Sequence, residues 1–469
     1  MEIIHVSAEC YPVAKTGGLG DVVGALPKYQ QQQGHVCKVV MPMHRKTFLY
    51  ENEWEVVHKS HFKMGKDLFE CTIIKEVRNV LGFDLYCVEV PGLLDRENIY
   101  GYEDDTFRYL CFQVAVLEWM NAWSHVPDVV HVHDHHSALI PFMMQHCYAY
   151  TKLQHIKTIL TIHNAEYQGW MEWKYAGLLP AWDTWKWGLL DWDNLVNPLA
   201  CGIKCARYVT TVSPGYLQEI MLQSKGLESL IRNEAAKCSG IINGVDYTVW
   251  NPETDTYILD NFGMKDVKAG KELNKQKLCK DFNLNPQLPL IVFIGRLVHE
   301  KAADLLVPAI QQAFDIPNCT FNFLVLGSGD PAVEQQLTAM NEPHAGYYNS
   351  RIAYNEKLSH LMYAGADFLM MPSRVEPCGL NQLYAMRYGT VPMVRKTGGL
   401  KDTVIDYEDE GGYGITFEQA TTDDMVHALQ RALILYGNKT KLQELRKRMM
   451  KINNSWEARA QDYLKLYQN

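Results

Sequence analysis

The sequence predicts an α/β protein of two doubly wound domains, and three observations carry that prediction. Short β-rich runs alternate with helix-length segments from the first residues onward. The alternation lapses near residue 243 and restarts near 290. The pentapeptide Lys-Thr-Gly-Gly-Leu occurs twice, at 15–19 and 396–400, each time between a strand-like run and a helix-like one.

The strand-like runs of the first half are 3–7, 37–41, 83–90, 129–133, 158–163 and 208–212, and those of the second half are 290–295, 321–327, 368–371 and 391–394. Their spacing leaves room for crossover helices, which implies parallel strands. Residues 243–271 open with Asn243-Gly244-Val245-Asp246, contain Asn251-Pro252 and show little periodicity, so they read as the inter-domain connection. Residues 454–469 carry Trp456, Tyr463, Leu464 and Tyr467 at helical spacing and are expected to pack. The expected division is 1–245, 246–453 and 454–469. In two such domains a ligand is expected in the cleft between them, at the carboxyl ends of the strands.

Composition removes several function classes. A chain of 469 residues is too long for one ordinary core, and 47% hydrophobic with 21% charged residues is a globular balance. A formal net charge of −9 without a basic run argues against nucleic acid and anionic membrane as partners. No secretory leader or membrane-spanning stretch is visible, and the 12 cysteines are scattered without metal-ligand spacing, so a cytoplasmic setting is expected.

The chemistry-bearing residues follow the strands. Lys15-Thr16-Gly17-Gly18-Leu19-Gly20-Asp21 is an anion-compatible glycine loop with a lysine at its mouth, though two ordinary tight turns would also account for the repeats. Its glycine spacing is wrong for a dinucleotide fingerprint, and no ribose-binding carboxylate follows the second strand. Arg296 and Lys301, five residues apart after a strand, can neutralise a diphosphate, or else pair with Glu300. Pro372-Ser373-Arg374-Val375-Glu376-Pro377-Cys378-Gly379-Leu380-Asn381 offers a carboxylate held before a proline and backbone N–H groups at a helix start; Glu376 as a helix cap is the plainer alternative.

His163-Asn164 with Tyr167-Gln168-Gly169 suits hydroxyl groups, although a lone histidine at a strand end also serves structure. His131, His133 and His135 lie at alternate positions and could converge on zinc, but no second carboxylate or thiolate cluster accompanies them and no metal is expected. Six of the 11 tryptophans fall between 170 and 192; core packing is their first reading and a stacking platform for pyranose rings the second.

Taken together, these motifs resemble those of glycosyltransferase family 5, the bacterial glycogen synthases and plant starch synthases, over nearly the whole chain. The resemblance rests on 15–22, His133-Asp134, His163-Asn164 with 167–169, 243–246, Arg296 with Lys301, 372–380 and 396–404. It implies the GT-B architecture: two Rossmann-like domains, an inter-domain cleft and a C-terminal helix crossing back to the first domain. It further implies retaining, metal-independent transfer of glucose from ADP-glucose to the non-reducing end of an α-1,4-glucan, with no cofactor. By the same resemblance Lys15 and Gly18 meet the donor phosphates, Arg296 and Lys301 hold the diphosphate, and Glu376 lies by the glucose ring. His163 and Asn243 touch the sugar, Tyr354 flanks the base, the N–H groups of Gly379 and Leu380 cap the terminal phosphate, and Asp134 and His135 lie on the acceptor side.

The sequence departs from the family pattern at three of these places: His135 replaces a tryptophan, Asn381 a threonine and Ala302 a glycine. Related enzymes that build other products carry a second glutamate eight residues after the first, where this chain has Tyr384. A UDP-glucose donor and an inactive glucan-binding relative are the alternatives, and the latter would lack Lys15, Arg296, Lys301 or Glu376.

Overall fold

A computed structural model describes residues 1–468. The chain divides into one unit of Met1–Gly244 completed by the segment starting at Trp456, and a second of Val245–Ser455.

The strands of the first unit are β1 Glu2–Val6, β2 Val36–Pro42, β3 Trp54–Met64, β4 Asp67–Glu76, β5 Asp84–Glu89, β6 Val129–His133, β7 Lys157–Ile162, β8 Asp191–Trp192, β9 Leu195–Val196, β10 Tyr208–Thr211 and β11 Cys238–Gly240. Nine of them form one sheet in the order β11-β10-β7-β6-β1-β2-β5-β4-β3, while β8 and β9 make a separate ribbon. The apolar runs Ile3–Ile4 and Val129–Val130 are wholly buried because a parallel sheet is covered on both faces. The helices Gly18–Gln32 and Trp456–Gln468 share one core: Leu19, Val22, Val23 and Leu26 pack with Trp456, Ala460, Tyr463, Leu464 and Tyr467. Gly244 is required where the two ends of this unit meet, since a Cβ there would come within 2.5 Å of the Trp456 Cα.

The second unit contains β12 Leu290–Ile294, β13 Asn322–Gly327, β14 Tyr348–Ile352, β15 Phe368–Met371, β16 Val391–Arg395 and β17 Ile415–Phe417, all parallel in the order β14-β13-β12-β15-β16-β17. Each unit is therefore doubly wound. The chain leaves β1 for β2 on one side and returns to β6 on the other; likewise it leaves β12 for β13 and returns to β15. Those reversals are where loops splay apart at the carboxyl edge and admit a ligand.

Three expectations need correction. The first sheet is not wholly parallel: β3 and β4 form an antiparallel hairpin through Gly65 at φ +58°, added to β5 at the edge. Residues 251–271 are not a bare connection, because Ile258, Phe262 and Val267 enter the second unit's core. None of the six clustered tryptophans is buried, and Trp185 is 88% exposed.

The 12 cysteines are unpaired thiols, 11 of them buried. Among the described residues no helix is long and apolar enough to cross a membrane.

Candidate active site

In the second unit, adjacency of β12, β15 and β16 brings three loops to one edge. Arg296 follows β12, the 372–380 segment follows β15, and Lys396–Gly399 follows β16. The Lys301 ammonium lies 2.7 and 2.6 Å from the two oxygens of Glu376, and the Ser373 hydroxyl donates to the same carboxylate at 2.9 Å. Glu376 is thus a paired carboxylate, 6% exposed, and no helix cap. Arg296, with a side chain 59% exposed, reaches Glu300 at 3.3 Å. A half-screened contact of that length is weak, so its guanidinium is available to an anion.

Arg374 fixes the approach to this pair. It makes two bonds to Asp304, at 2.6 and 2.8 Å, and its N–H donates to the Glu300 carbonyl at 2.8 Å, binding the loop after β15 to the one after β12. The Asn381 amide donates to the Ile294 carbonyl at 2.6 Å, so the asparagine that replaces a threonine ties its helix to β12. Ala302, in the place of a glycine, stands at φ +53°. Gly379 adopts φ +73° at the turn into Leu380 and the Asn381–Arg387 helix. Tyr354 is 76% exposed beyond β14, and its hydroxyl donates to Glu356 at 3.3 Å. Tyr384 stacks on Trp250 at 3.9 Å between centroids, an aromatic packing role.

The second Lys-Thr-Gly-Gly-Leu copy packs against the loop that carries Glu376. Lys396 pairs with Glu418 at 2.7 Å, and the Gly399 N–H donates to the Glu376 carbonyl at 3.2 Å. A Cβ on Gly398 would overlap the Glu376 carbonyl oxygen, and one on Gly399 that of Cys378. These glycines let one loop lie against the backbone that carries Glu376.

In the first unit β7, β6 and β1 are neighbours, which groups the loops holding His163, Asp134 and Lys15. Lys15 pairs with Asp21 at 2.6 Å. The N–H groups of Thr16 and Gly17 donate to Glu9 Oε2 at 2.6 and 3.1 Å, and Tyr100 donates to Glu9 Oε1 at 2.7 Å. Part of the expected anion cradle is therefore filled by the protein's own carboxylate. Burial pushes the Glu9 carboxyl above its usual range despite those bonds. Gly17 and Gly18 face open space: a Cβ added to either would meet nothing within 4 Å.

Asp134 stands at φ +54° where β6 ends, and its carboxylate accepts from the His163 N–H at 2.7 Å. It clamps the loop after β7. Burial raises its carboxyl to about 7. The same burial lowers His163 to about 3 and His135 to about 4, so both rings are neutral at pH 7. The His135 ring lies tilted against that of His136, with centroids 3.7 Å apart, and Gly169 at φ +73° makes room for it. Asn243 is 4% exposed just before the chain enters the second unit.

The histidines that do converge are His5, His131 and His133, not the alternate-residue set containing His135. Each of their ring nitrogens already has a hydrogen-bond partner: His5 meets His133 and Gln30, His131 meets Tyr467 and Thr161, and His133 also meets His163. A cation here would have to displace those bonds. Sequence reasoning gave no role to Ser373 and Arg374 within the segment it quoted, and missed Glu9, which lies upstream of the glycine loop, and Gln30, whose helix position gave no signal.

The first half of the chain, residues 2–233, matches the starch synthase catalytic domain model, and residues 274–456 match the glycosyl transferases group 1 model. A glycogen synthase of Flavobacterium johnsoniae is 49% identical over 467 residues, covering 100% of this chain and 98% of its own. The chain belongs to the glycogen and starch synthase family. A Koribacter versatilis glycogen synthase is 37% identical, with 100% and 98% covered. The catalytic domain of starch synthase IV from Arabidopsis thaliana, solved bound to ADP and acarbose, superposes with a TM-score of 0.90 at 32% identity, covering 99% of this chain and 98% of that one. A sucrose-phosphate synthase from Thermosynechococcus elongatus shares the fold alone, with a TM-score of 0.64 at 17% identity over 100% and 98% of the two chains. Family membership makes the chain a glycosyltransferase with the GT-B arrangement of two Rossmann-like domains and assigns it to glycogen synthesis.

Proposed function

We propose that the chain transfers glucose from ADP-glucose to the non-reducing end of an α-1,4-glucan, forming an α-1,4 bond with retention and without a metal. The observation that carries this reading is the Lys301–Glu376 pair at the β12/β15 reversal, with Arg296 exposed beside it. Two cations at one strand edge can neutralise a departing diphosphate, the task a metal would otherwise perform. The relative solved with ADP and acarbose supports an adenine nucleotide and a carbohydrate acceptor.

In this reading Arg296, Lys301 and the N–H groups of Gly379 and Leu380 stabilise the diphosphate as it leaves, and Lys15 adds a further cation. Asn381 supports that loop, Tyr354 stacks on the base, and Asn243 and His163 bind hydroxyl groups of the sugar. The diphosphate oxygen takes the proton of the incoming 4-hydroxyl on the face it vacates, so the new bond forms with the configuration of the old. Glu376, hydrogen-bonded to Lys301 in the ligand-free chain, lies by the ring; Asp134 and His135 shape the acceptor side.

Release of nucleotide diphosphate on adding glycogen, followed in parallel with ADP-glucose and UDP-glucose and with and without a chelator, tests the reading. ADP release that resists chelation, with an α-linked product by NMR, is expected. Preference for UDP-glucose, or loss of turnover on chelation, would overturn the corresponding part. Glu376→Ala should lower kcat by at least about 100-fold while donor KM changes little.

A further inference from the structure

His163 is the outer member of a row of hydrogen bonds running under the carboxyl edge of the first sheet. Its Nε2 lies 3.1 Å from His133 Nδ1, His133 Nε2 lies 3.1 Å from His5 Nδ1, and His5 Nε2 lies 2.8 Å from Gln30 Oε1. Neighbouring strands β6 and β1 supply the middle of the row, and the Gly18–Gln32 helix supplies its inner end. On its other side Gln30 donates from Nε2 to the Tyr467 hydroxyl at 3.1 Å, and that hydroxyl lies 2.6 Å from His131 Nδ1.

Burial holds every imidazole in the row neutral, lowering His163 to about 3, His5 to about 4 and His133 well below its usual value. A neutral imidazole has one donor and one acceptor, so consecutive rings must all point the same way. Whatever orients one end orients the other. The Gln30 oxygen accepts from the Cys37 thiol at 3.7 Å, burial keeps that thiol protonated, and the same oxygen faces the His5 ring. With that oxygen accepting, His5 carries its proton on Nε2, His133 on Nε2, and His163 on Nε2. Nδ1 is then the only acceptor left on the His163 ring.

We propose that Gln30 is a positioning residue that sets the tautomer of His163 through His133 and His5, making His163 a hydrogen-bond acceptor that selects a sugar hydroxyl. The proposal rests on the reading of His163 as a sugar contact. It assigns a function to a glutamine that does not itself touch substrate. A substrate carrying a fluorine or a methoxy group at that hydroxyl has nothing to donate and loses the contact.

Nitrogen-15 histidine NMR of the full, ligand-free chain reads the tautomers directly. The expected result is a proton on Nε2 of His163, His133 and His5. Gln30→Met, close in length but unable to donate or accept, should give mixed tautomers at His163 and a fall of about tenfold in kcat, with donor KM within about twofold. A proton on His163 Nδ1 in the unmodified chain, or an unchanged single tautomer in folded Gln30→Met, overturns the proposal. Should Gln30→Met fail to fold, one-bond coupling in the unmodified chain decides alone: a bridging proton on His163 Nε2 supports the proposal, and one on His133 Nδ1 overturns it. Because these signals need no substrate, expected tautomers in a chain that transfers no glucose would count against the enzymatic reading and leave the row of hydrogen bonds standing.

Discussion

The same five residues, Lys-Thr-Gly-Gly-Leu, begin a helix in each unit and meet opposite physical demands. In the second unit Gly398 and Gly399 are required from within, since side chains there would collide with the backbone of 376–378. In the first unit Gly17 and Gly18 border open space, and the fold itself gives no reason to forbid a Cβ. Both lysines are ion-paired, Lys396 to Glu418 and Lys15 to Asp21, but only Lys15 lies beside a loop whose N–H groups are ordered by buried Glu9. An identical motif can thus be a packing device in one place and an uncrowded surface in another. Only the surroundings distinguish them.

The strongest way to break this contrast is to add a methyl group to each copy. Gly398→Ala, which combines overlap with a φ of +43°, should destabilise the second unit by about 4 kcal/mol in urea unfolding. A cost below about 1 kcal/mol would refute the packing account. Next come the lysines. Lys15→Met should lower kcat/KM for the donor by about 100-fold, and Lys396→Met by less than about threefold; equal losses would erase the distinction.

A smaller effect separates the loops by pH. Because Glu9 has its pKa raised in the fold, the folded chain binds more protons than the unfolded one just above pH 4.5, and this residue's contribution to stability declines as pH rises through that window. Glu9→Gln removes that slope. Comparing urea midpoints at pH 4.5 and 7.5, the variant should gain stability relative to the unmodified chain toward the higher pH. In the second loop the Gly399 N–H donates to the carbonyls of Glu376 and Pro377, and Gly399→Ala should show no matching trend. Smallest of all, Gly17→Ala should change stability by less than about 0.5 kcal/mol while still reducing donor turnover.

Much of this architecture was legible because parallel strands buried on both faces are written as short apolar runs, such as Leu290–Ile294 and Val129–Val130. The edge hairpin of β3 and β4 was not, since its faces mix Glu55, His58, Lys59 and Lys63 with apolar residues and mimic a loop. The candidates Glu376, Arg296, Lys301 and His163 were singled out because each follows a strand. What escaped was partnership: that Lys301 serves Glu376, that Glu9 fills the first glycine loop, and that His5 and not His135 joins His131 and His133. Sequence spacing gives the face of one strand. It carries no information on which strands become neighbours.

The last helix has a consequence for the order in which the chain can be finished. Trp456, Tyr463 and Tyr467 complete the core that begins with Ile3 and Leu19, yet all of Val245–Ser455 is translated in between. At about 5–20 residues per second the nascent first unit must wait on the order of 10–40 s with one flank of its core uncovered. The inserted unit has all its strands in one continuous segment and can mature first. Ribosome-bound chains halted before residue 456 should therefore be cut by protease in the early portion and resist cutting in the later one.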